Sequence, residues 1–219
     1  MTMSAAKQLR LEGWPRRAAF EHFRGLAQPF FSLCATVDVG ALAARVRACP
    51  GATPFLVYHH AALRAANVVE PFRYRLDGAG VRVHARVNGS TTVLREDGES
   101  LGFADLPYEP KLADFVARAL PVLAAARRPA PGLGAEGAAL DEQAPLIHMT
   151  TIPWLFFSSF SHARGAGDDV PKLAFGRIVE QQGQRLMPVG VEVHHALMDG
   201  LHVGRFYAAM QAALDGEEA

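Results

Sequence analysis

The sequence predicts an α/β protein of the two-layer α+β sandwich kind, a mixed and largely antiparallel β-sheet covered by helices. Three observations carry this. Val189, Val191 and Val193 alternate, which marks a strand with one apolar face near the C-terminus. Short alternating runs between Phe72 and Pro107, broken at Asp77-Gly78, Asn88-Gly89 and Asp97-Gly98, read as antiparallel hairpins. Between the strands lie stretches with apolar residues at helical spacing, the most apolar from Pro54 to Val69.

Taken in order, residues 1–12 read as a loose N-terminal tail of a single domain spanning 1–219. Trp14 to Phe23 is a short helix begun by Pro15. Phe31 to Asp38 is a strand, and Asp38 is placed to cap the next helix, whose buried stripe is Leu42, Val46 and Ala43. Pro50-Gly51 ends that helix. The Pro54–Val69 helix turns Phe55, Tyr58, Leu63 and Ala66 inward, with His59 and His60 as packing or hydrogen-bonding residues. After the hairpins, Pro110 leads a helix with Leu112, Phe115, Ala119 and Leu120 inward, lasting to Arg127. Residues 128–145 are rich in Pro, Gly and Ala and hold no period, so they read as a flexible surface loop. The aromatics of Leu146 to Phe160 read as core on pattern alone. Lys172 to Ile178 and Arg185 to Val189 read as a hairpin around Gln182-Gly183, its second strand running on to His195. Asp199-Gly200 then breaks the strand, and Val203, Phe206, Tyr207, Met210 and Leu214 recur at helical spacing.

Composition narrows the class. The 219 residues are 50% hydrophobic and 20% charged, ordinary for a globular enzyme. Lys plus Arg and Asp plus Glu are both 22, a balance that argues against nucleic acid as a partner. No apolar run approaches the roughly 18 residues of a membrane span, and the first residues lack a hydrophobic signal core. Cys34 and Cys49 make no disulfide framework and suit a reducing cytoplasm. Cys34, on a strand with no obvious cation beside it, is expected to be inert.

The chemistry centres on the run from Val191 to Gly200. Extending the strand's period of two puts His195 on the valine side and Glu192 and His194 on the other. Burial disfavours the charged form, so a histidine there stays neutral and can accept a proton near pH 7. Pattern alone also allows a satisfied core histidine. A zinc site built from His194, His195, Asp199 and His202 is disfavoured because His194 and His195 face opposite ways. Two arginines on a short helix, Arg16 and Arg17, read by themselves as a solvated face.

HHALMDG from His194, followed by His202-Val203, resembles the HHxxxDG signature of the chloramphenicol acetyltransferase family. The shorter HxxxDG also occurs in dihydrolipoamide acyltransferase cores and in peptide-synthetase condensation domains. A condensation domain is much longer than this chain, and an intact dihydrolipoamide acyltransferase would carry a lipoyl domain first. Two more segments resemble the chloramphenicol acetyltransferases: the Trp14-Pro15-Arg16-Arg17 opening, and Thr150-Thr151-Ile152-Pro153-Trp154 with its aromatic continuation. The resemblance runs from about Trp14 to Leu214, with the motifs in the family's order.

That resemblance implies direct transfer of an acetyl or other acyl group from acyl-coenzyme A, as co-substrate, to a small-molecule hydroxyl. It implies a homotrimer with active sites between subunits, no permanently bound cofactor and no metal. His195 is then the general base, Thr150 the oxyanion donor in place of the family's serine, and Asp199 and Arg16 an ion pair supporting His195. The family's acceptor pocket maps onto His22, Phe23, Ala27, Pro29, Phe31, Phe156 and Phe160. Its coenzyme contacts map onto Thr53, Thr150, Ala174 and Ile178, with Thr53 and Ile178 replacing tyrosines. A different acyl donor or acceptor, and a catalytically silent assembly subunit, remain as alternatives.

Overall fold

The longest strand of the sheet lies one in from its edge and is buried over most of its length. In the computed structural model, which describes residues 6–130, 132, 145–165 and 167–217, β10 (Gln184–His194) is buried continuously from Met187 onward. It lies between β2 (Phe30–Asp38) and β8 (Lys172–Gly176), antiparallel to both. Beyond β8 come β7 (Leu146–Ile152), β5 (Asn88–Leu94) and β6 (Leu101–Leu106), while β9 (Val179–Gln181) pairs with the start of β10. The pairs β7–β8 and β5–β7 are parallel and the others antiparallel, the mixed and largely antiparallel sheet that the sequence predicts.

One face of this sheet is apolar. Val189, Val191 and Val193 of β10, Leu173 and Phe175 of β8, Ile147 and Met149 of β7 and Val93 of β5 share a single cluster with the helices. Those helices are α2 (Leu42–Ala48), α3 (Pro54–Val68), α4 (Leu112–Ala126) and α5 (Gly200–Asp215). The other face is mostly polar, and Leu155, Phe157 and Phe160 lie against it at Gly176 and Gly190. Two layers follow from this asymmetry, because only one sheet face offers apolar area for helices to cover.

A smaller sheet stands beside it: β1 (Lys7–Gln8), β4 (Gly80–Val83) and β3 (Tyr74–Asp77). The reading of residues 1–12 as a loose tail is therefore wrong in part. Leu9 donates its N–H to the Val81 carbonyl at 2.8 Å, and Leu9, Leu11 and Trp14 pack on Phe20, Tyr74, Val81, Ala196 and Leu197. The first helix, α1 (Arg17–Phe23), begins beyond Pro15, with Arg16 at its N-cap.

Other expectations need correction. Asn88-Gly89 is not a turn; both residues lie in β5. A Cβ on Gly89 would run into the Met149 terminal methyl and come within 3.2 Å of Leu63, so α3 needs glycine there to reach the sheet. Asp38 does not cap α2; its carboxylate accepts the Gly40 N–H at 2.6 Å, and Ala41 is the cap residue. Ala43 is exposed while Leu42 is buried. On α4, Leu120 is 41% exposed and Leu112 only partly covered; Val116 and Leu123 fill the core beside Phe115 and Ala119. The hairpin around Gln182-Gly183 joins β9 to β10, both turn residues having positive φ. Trp154, Leu155 and Phe156 are 65%, 60% and 43% exposed in a single chain, not core. Of the loop expected at 128–145, residues 131 and 133–144 lie outside the described residues. No described helix is long and apolar enough to cross a membrane.

Candidate active site

The polypeptide leaves β10 at His194 and makes a tight turn before α5, and His195 sits at its start. Its backbone N–H donates to the Pro29 carbonyl at 2.7 Å, which holds the turn against the end of β2. The ring stacks on Phe23, centroids 3.7 Å apart and planes 9° apart, and meets Phe31 at 4.7 Å. Nδ1 lies 3.3 Å from the Met198 carbonyl and 3.2 Å from Asp199 Oδ1. In the neutral ring, donation from Nδ1–H leaves the Nε2 lone pair free, and no described group bonds it. The alternation holds: His195 lies on the helix-bearing side with Phe31. His194 lies on the other, edge-on to Phe30 at 5.1 Å and accepting the Ala196 N–H at 3.2 Å. Burial pushes the His194 pKa down to about 4, so that ring stays neutral.

Arg16 braces the turn. Its guanidinium grips Asp199 through Nε at 2.6 Å and Nη2 at 2.7 Å, and it also donates to the carbonyls of Ala196 at 3.0 Å and His195 at 2.9 Å. The bond from Arg16 keeps the Asp199 carboxyl below its ordinary range. His202 fastens the other end, its Nδ1 accepting the Asp199 N–H at 3.0 Å. Arg16→Ala and Asp199→Ala are each expected to lower melting temperature and turnover together. Asp199 is 37% exposed, so the coupling belongs to the range of about 0.5–3 kcal/mol for contacting residues. Thermal melts of the two single variants and the double variant measure it; additive losses would show an idle contact.

The remaining predicted residues fall in two places. His22 lies against Phe23, exposed, at 5.0 Å. Thr150 is far from this group: it projects from β7 on the polar face, its hydroxyl 3.2 Å from that of Thr92. Both line a cavity of about 290 Å³ together with Phe103, His148, Phe160 and Lys172. Phe156 is exposed outside it. Ala174 is fully buried, Ile178 packs against the helix-side core, and the Thr53 hydroxyl caps α3 by accepting the Leu56 N–H at 3.3 Å. Cys34 is half-buried against the Phe157 carbonyl, and burial raises its thiol pKa, which makes it a poor nucleophile.

The two groups of motif residues are thus separate within the chain. His195 lies beyond the end of β10 on one side of the sheet; Thr150 lies two strands away on the opposite side. No described bond or ring contact joins them. Family likeness implies a main-chain carbonyl at the His195 ring, which is that of Met198; sequence reasoning missed the Pro29 carbonyl, the two carbonyl bonds from Arg16, and Thr92. Only the strand register reveals Thr92. His202 did leave a signal, since its position three residues after Asp199 is that of a capping-box partner.

A family model described as chloramphenicol acetyltransferase matches residues 5–211. A chloramphenicol acetyltransferase from Streptomyces acrimycini is 30% identical over 207 residues, covering 93% of this chain and 92% of its own. One from Haemophilus influenzae is 25% identical over 210 residues, 94% and 95% of the two chains. Among solved structures, a chloramphenicol acetyltransferase superposes with a TM-score of 0.79 at 25% identity, covering 97% of this chain and all of that one. A dihydrolipoamide acetyltransferase from Azotobacter vinelandii shares the fold alone, with a TM-score of 0.67 at 17% identity over 90% and 86%. With the family match over nearly the whole length, and a histidine, an Arg–Asp ion pair and a hydroxyl at the motif positions, the chain belongs to the chloramphenicol acetyltransferase family and is an acyltransferase.

Proposed function

We propose that the protein moves an acetyl group from acetyl-coenzyme A straight to a small-molecule hydroxyl, at sites shared between subunits of a homotrimer. His195 of one subunit is the general base and Thr150 of the next is the oxyanion donor. The observation that carries this reading is the separation of the two half-sites onto opposite faces of one sheet. Neither half is a catalyst alone, and a neighbouring copy can supply the other. The free edge of β2, with Leu33 43% exposed, and the bare Trp154, Leu155 and Phe156 give such a copy apolar surface to cover.

In the reaction, Nε2 of His195 takes the proton of the acceptor hydroxyl as its oxygen attacks the thioester carbonyl. The carbonyl oxygen gains the negative charge and receives the Thr150 O–H bond, an interaction stronger in the transition state than before it. Collapse breaks the carbon–sulfur bond, and the departing thiolate takes the proton back from the imidazolium. Thr92 keeps the Thr150 hydroxyl useful: its own O–H can donate to Thr150, freeing the Thr150 proton for the oxyanion. Arg16 and Asp199 act by fixing the backbone of the His195 turn. Phe23, His22 and Phe31 wall one side of the acceptor, Phe156 and Phe160 the other. The coenzyme runs past Thr150 towards Ala174, Ile178 and Thr53. Chloramphenicol, the acceptor in the relatives' names, is the first to try, and the cytoplasm supplies acetyl-coenzyme A.

The shared site has a direct test. His195→Ala and Thr150→Ala proteins are each expected to be nearly inactive. Unfolding and refolding them together forms mixed trimers in which some sites pair an intact His195 with an intact Thr150. Thiol release with chloramphenicol or another alcohol should then reappear in the mixture. Two inactive parents that stay inactive when mixed, though mass spectrometry shows mixed trimers, would rule the shared site out.

A further inference from the structure

A single peptide group joins two imidazoles at the head of α5. Its carbonyl, that of Met198, is the hydrogen-bond acceptor 3.3 Å from His195 Nδ1. Its N–H, that of Asp199, donates to His202 Nδ1 at 3.0 Å. A trans peptide is planar and its C=O and N–H point opposite ways, so the two rings hold one plane by its two edges. The proton positions follow. An amide N–H can only donate, so His202 Nδ1 accepts and its neutral ring carries the proton on Nε2. A carbonyl can only accept, so the neutral His195 ring carries its proton on Nδ1, the tautomer that leaves Nε2 bare. Asp199 Oδ1 lies beside that bond, 3.2 Å from the same nitrogen, but already accepts from Arg16 Nη2 at 2.7 Å.

His202 stands at the third position of α5, where a capping box ordinarily has Glu or Gln. An imidazole does the same work in a form that protonation switches off. A charged His202 would turn a second N–H towards the Asp199 N–H, the bond would be lost, and the Met198 carbonyl would be free to swing with its peptide. The surroundings resist that charge at neutral pH. Among the described residues, the charged groups facing His202 are Arg16 from the segment before α1, Asp199, and Arg205 on α5 itself; burial and the two arginines lower its pKa against the pull of Asp199. The first turn of a helix disfavours a cation as well.

We propose that His202 is a positioning residue for the base: in its neutral form it fixes the Met198–Asp199 peptide, and that peptide fixes His195 as the Nδ1–H tautomer. The inference rests on the reading of His195 as the general base. His202 acts only through the peptide and has no part in the bond-making step. Acid then stops the reaction in two ways. One proton on His195 removes the lone pair that attacks the acceptor hydroxyl, and another on His202 releases the peptide that aims it.

Nitrogen-15 NMR of protein labelled at histidine distinguishes Nδ1–H from Nε2–H rings, and the signals lost in His195→Ala and His202→Gln assign these two. At pH 8 the unaltered protein should show His202 as Nε2–H and His195 as Nδ1–H. His202→Ala should turn the His195 signal into a mixture of tautomers and lower turnover about three- to tenfold, the fold-change of one ordinary hydrogen bond. His202→Gln, whose amide oxygen accepts at every pH, should keep His195 as Nδ1–H and restore most of the turnover. In a plot of log kcat against pH, with the fold checked by circular dichroism at each point, the unaltered protein should fall in acid more steeply than one proton allows. His202→Gln should fall with the slope of one. A His202 that is Nδ1–H or charged at pH 8 in the unaltered protein overturns the inference whether or not the variants fold. So does a His195 tautomer that ignores His202→Ala, or an acid slope that His202→Gln leaves unchanged. If His195→Ala keeps its turnover, the reading of His195 as base fails instead, and the spectra still decide whether His202 sets its tautomer.

Discussion

His195→Ala should cut turnover by about 10²–10⁴ or more, the range for losing a general base, while fold and assembly survive. The ring stands between Phe23 and Phe31, and its side chain is 31% exposed, so removing it opens no sealed cavity. What disappears is the one lone pair aimed away from the protein. The neighbouring residue makes the control. His194→Ala removes a buried ring packed on Phe30 and an acceptor for the Ala196 N–H, so it should lower the melting temperature. Its effect on the rate should be far smaller, because the imidazole faces the other side of the sheet. Steady-state thiol release for both variants decides the matter. Near-normal turnover in His195→Ala with any true acceptor would remove that residue from the mechanism.

Acid should destabilise the protein well before its carboxylates are titrated, lowering the melting temperature on the order of 10 °C between pH 7 and pH 5. Seven histidines have pKa values depressed chiefly by burial: His59 to about 3, His84, His148 and His194 to about 4, and also His60, His162 and His202. In the unfolded chain each titrates near 6.5. Below that pH the unfolded state binds protons that the folded state refuses. Stability is therefore complete above about pH 6.5 and declines towards the folded values, by about 1.4 kcal/mol per pH unit for each fully protected ring. His59 is sealed completely, between the Phe55 carbonyl at 2.8 Å and the Thr91 hydroxyl at 3.2 Å, and should show the whole effect. The others are less completely buried and contribute less. Asp168, Asp199 and Glu192 have depressed pKa values, so their contribution is lost only below about pH 4. Asp169, raised by burial, works weakly the other way. Melts from pH 8 to pH 4.5 measure the slope, and His59→Phe should flatten it by about one proton. An unchanged slope in that variant would assign the acid sensitivity to other groups.

What the sequence disclosed depended on how local the determining physics was. Alternation through Val189, Val191 and Val193 put His195 and His194 on their correct faces, because a strand's period needs no partner to be read. Arg16 and Asp199 are 183 residues apart, and nothing in either neighbourhood names the other; only likeness to a family joined them. Asn88-Gly89 misled because its local chemistry is that of a turn, whereas the glycine answers to Met149 and Leu63 from other elements. Leu120 and Ala43 fit a helical stripe, yet their helices are rolled so that other side chains face the sheet. Trp154 to Phe156 read as core since sequence cannot distinguish burial within a chain from apolar surface left bare on it. Thr150 was legible as a residue type, but its place on the opposite face from His195 needed the strand order.

The position of β10 has a consequence for how the molecule comes into being. It lies in the interior of the sheet, between β2 and β8, and yet it leaves the ribosome after every other described strand. Until it does, β2 has no neighbour and β8 shows one bare edge, so the nascent chain holds two open templates for stray pairing. Each pairing that β10 then makes with β2 bridges most of the polypeptide, which is slow in the way distant contacts are slow. The same insertion delivers His195 to Pro29 and Asp199 to Arg16. Sheet closure and placement of His195 are thus a single late event, and a chain that stops short of it keeps Thr150 on β7 but lacks the His195 turn.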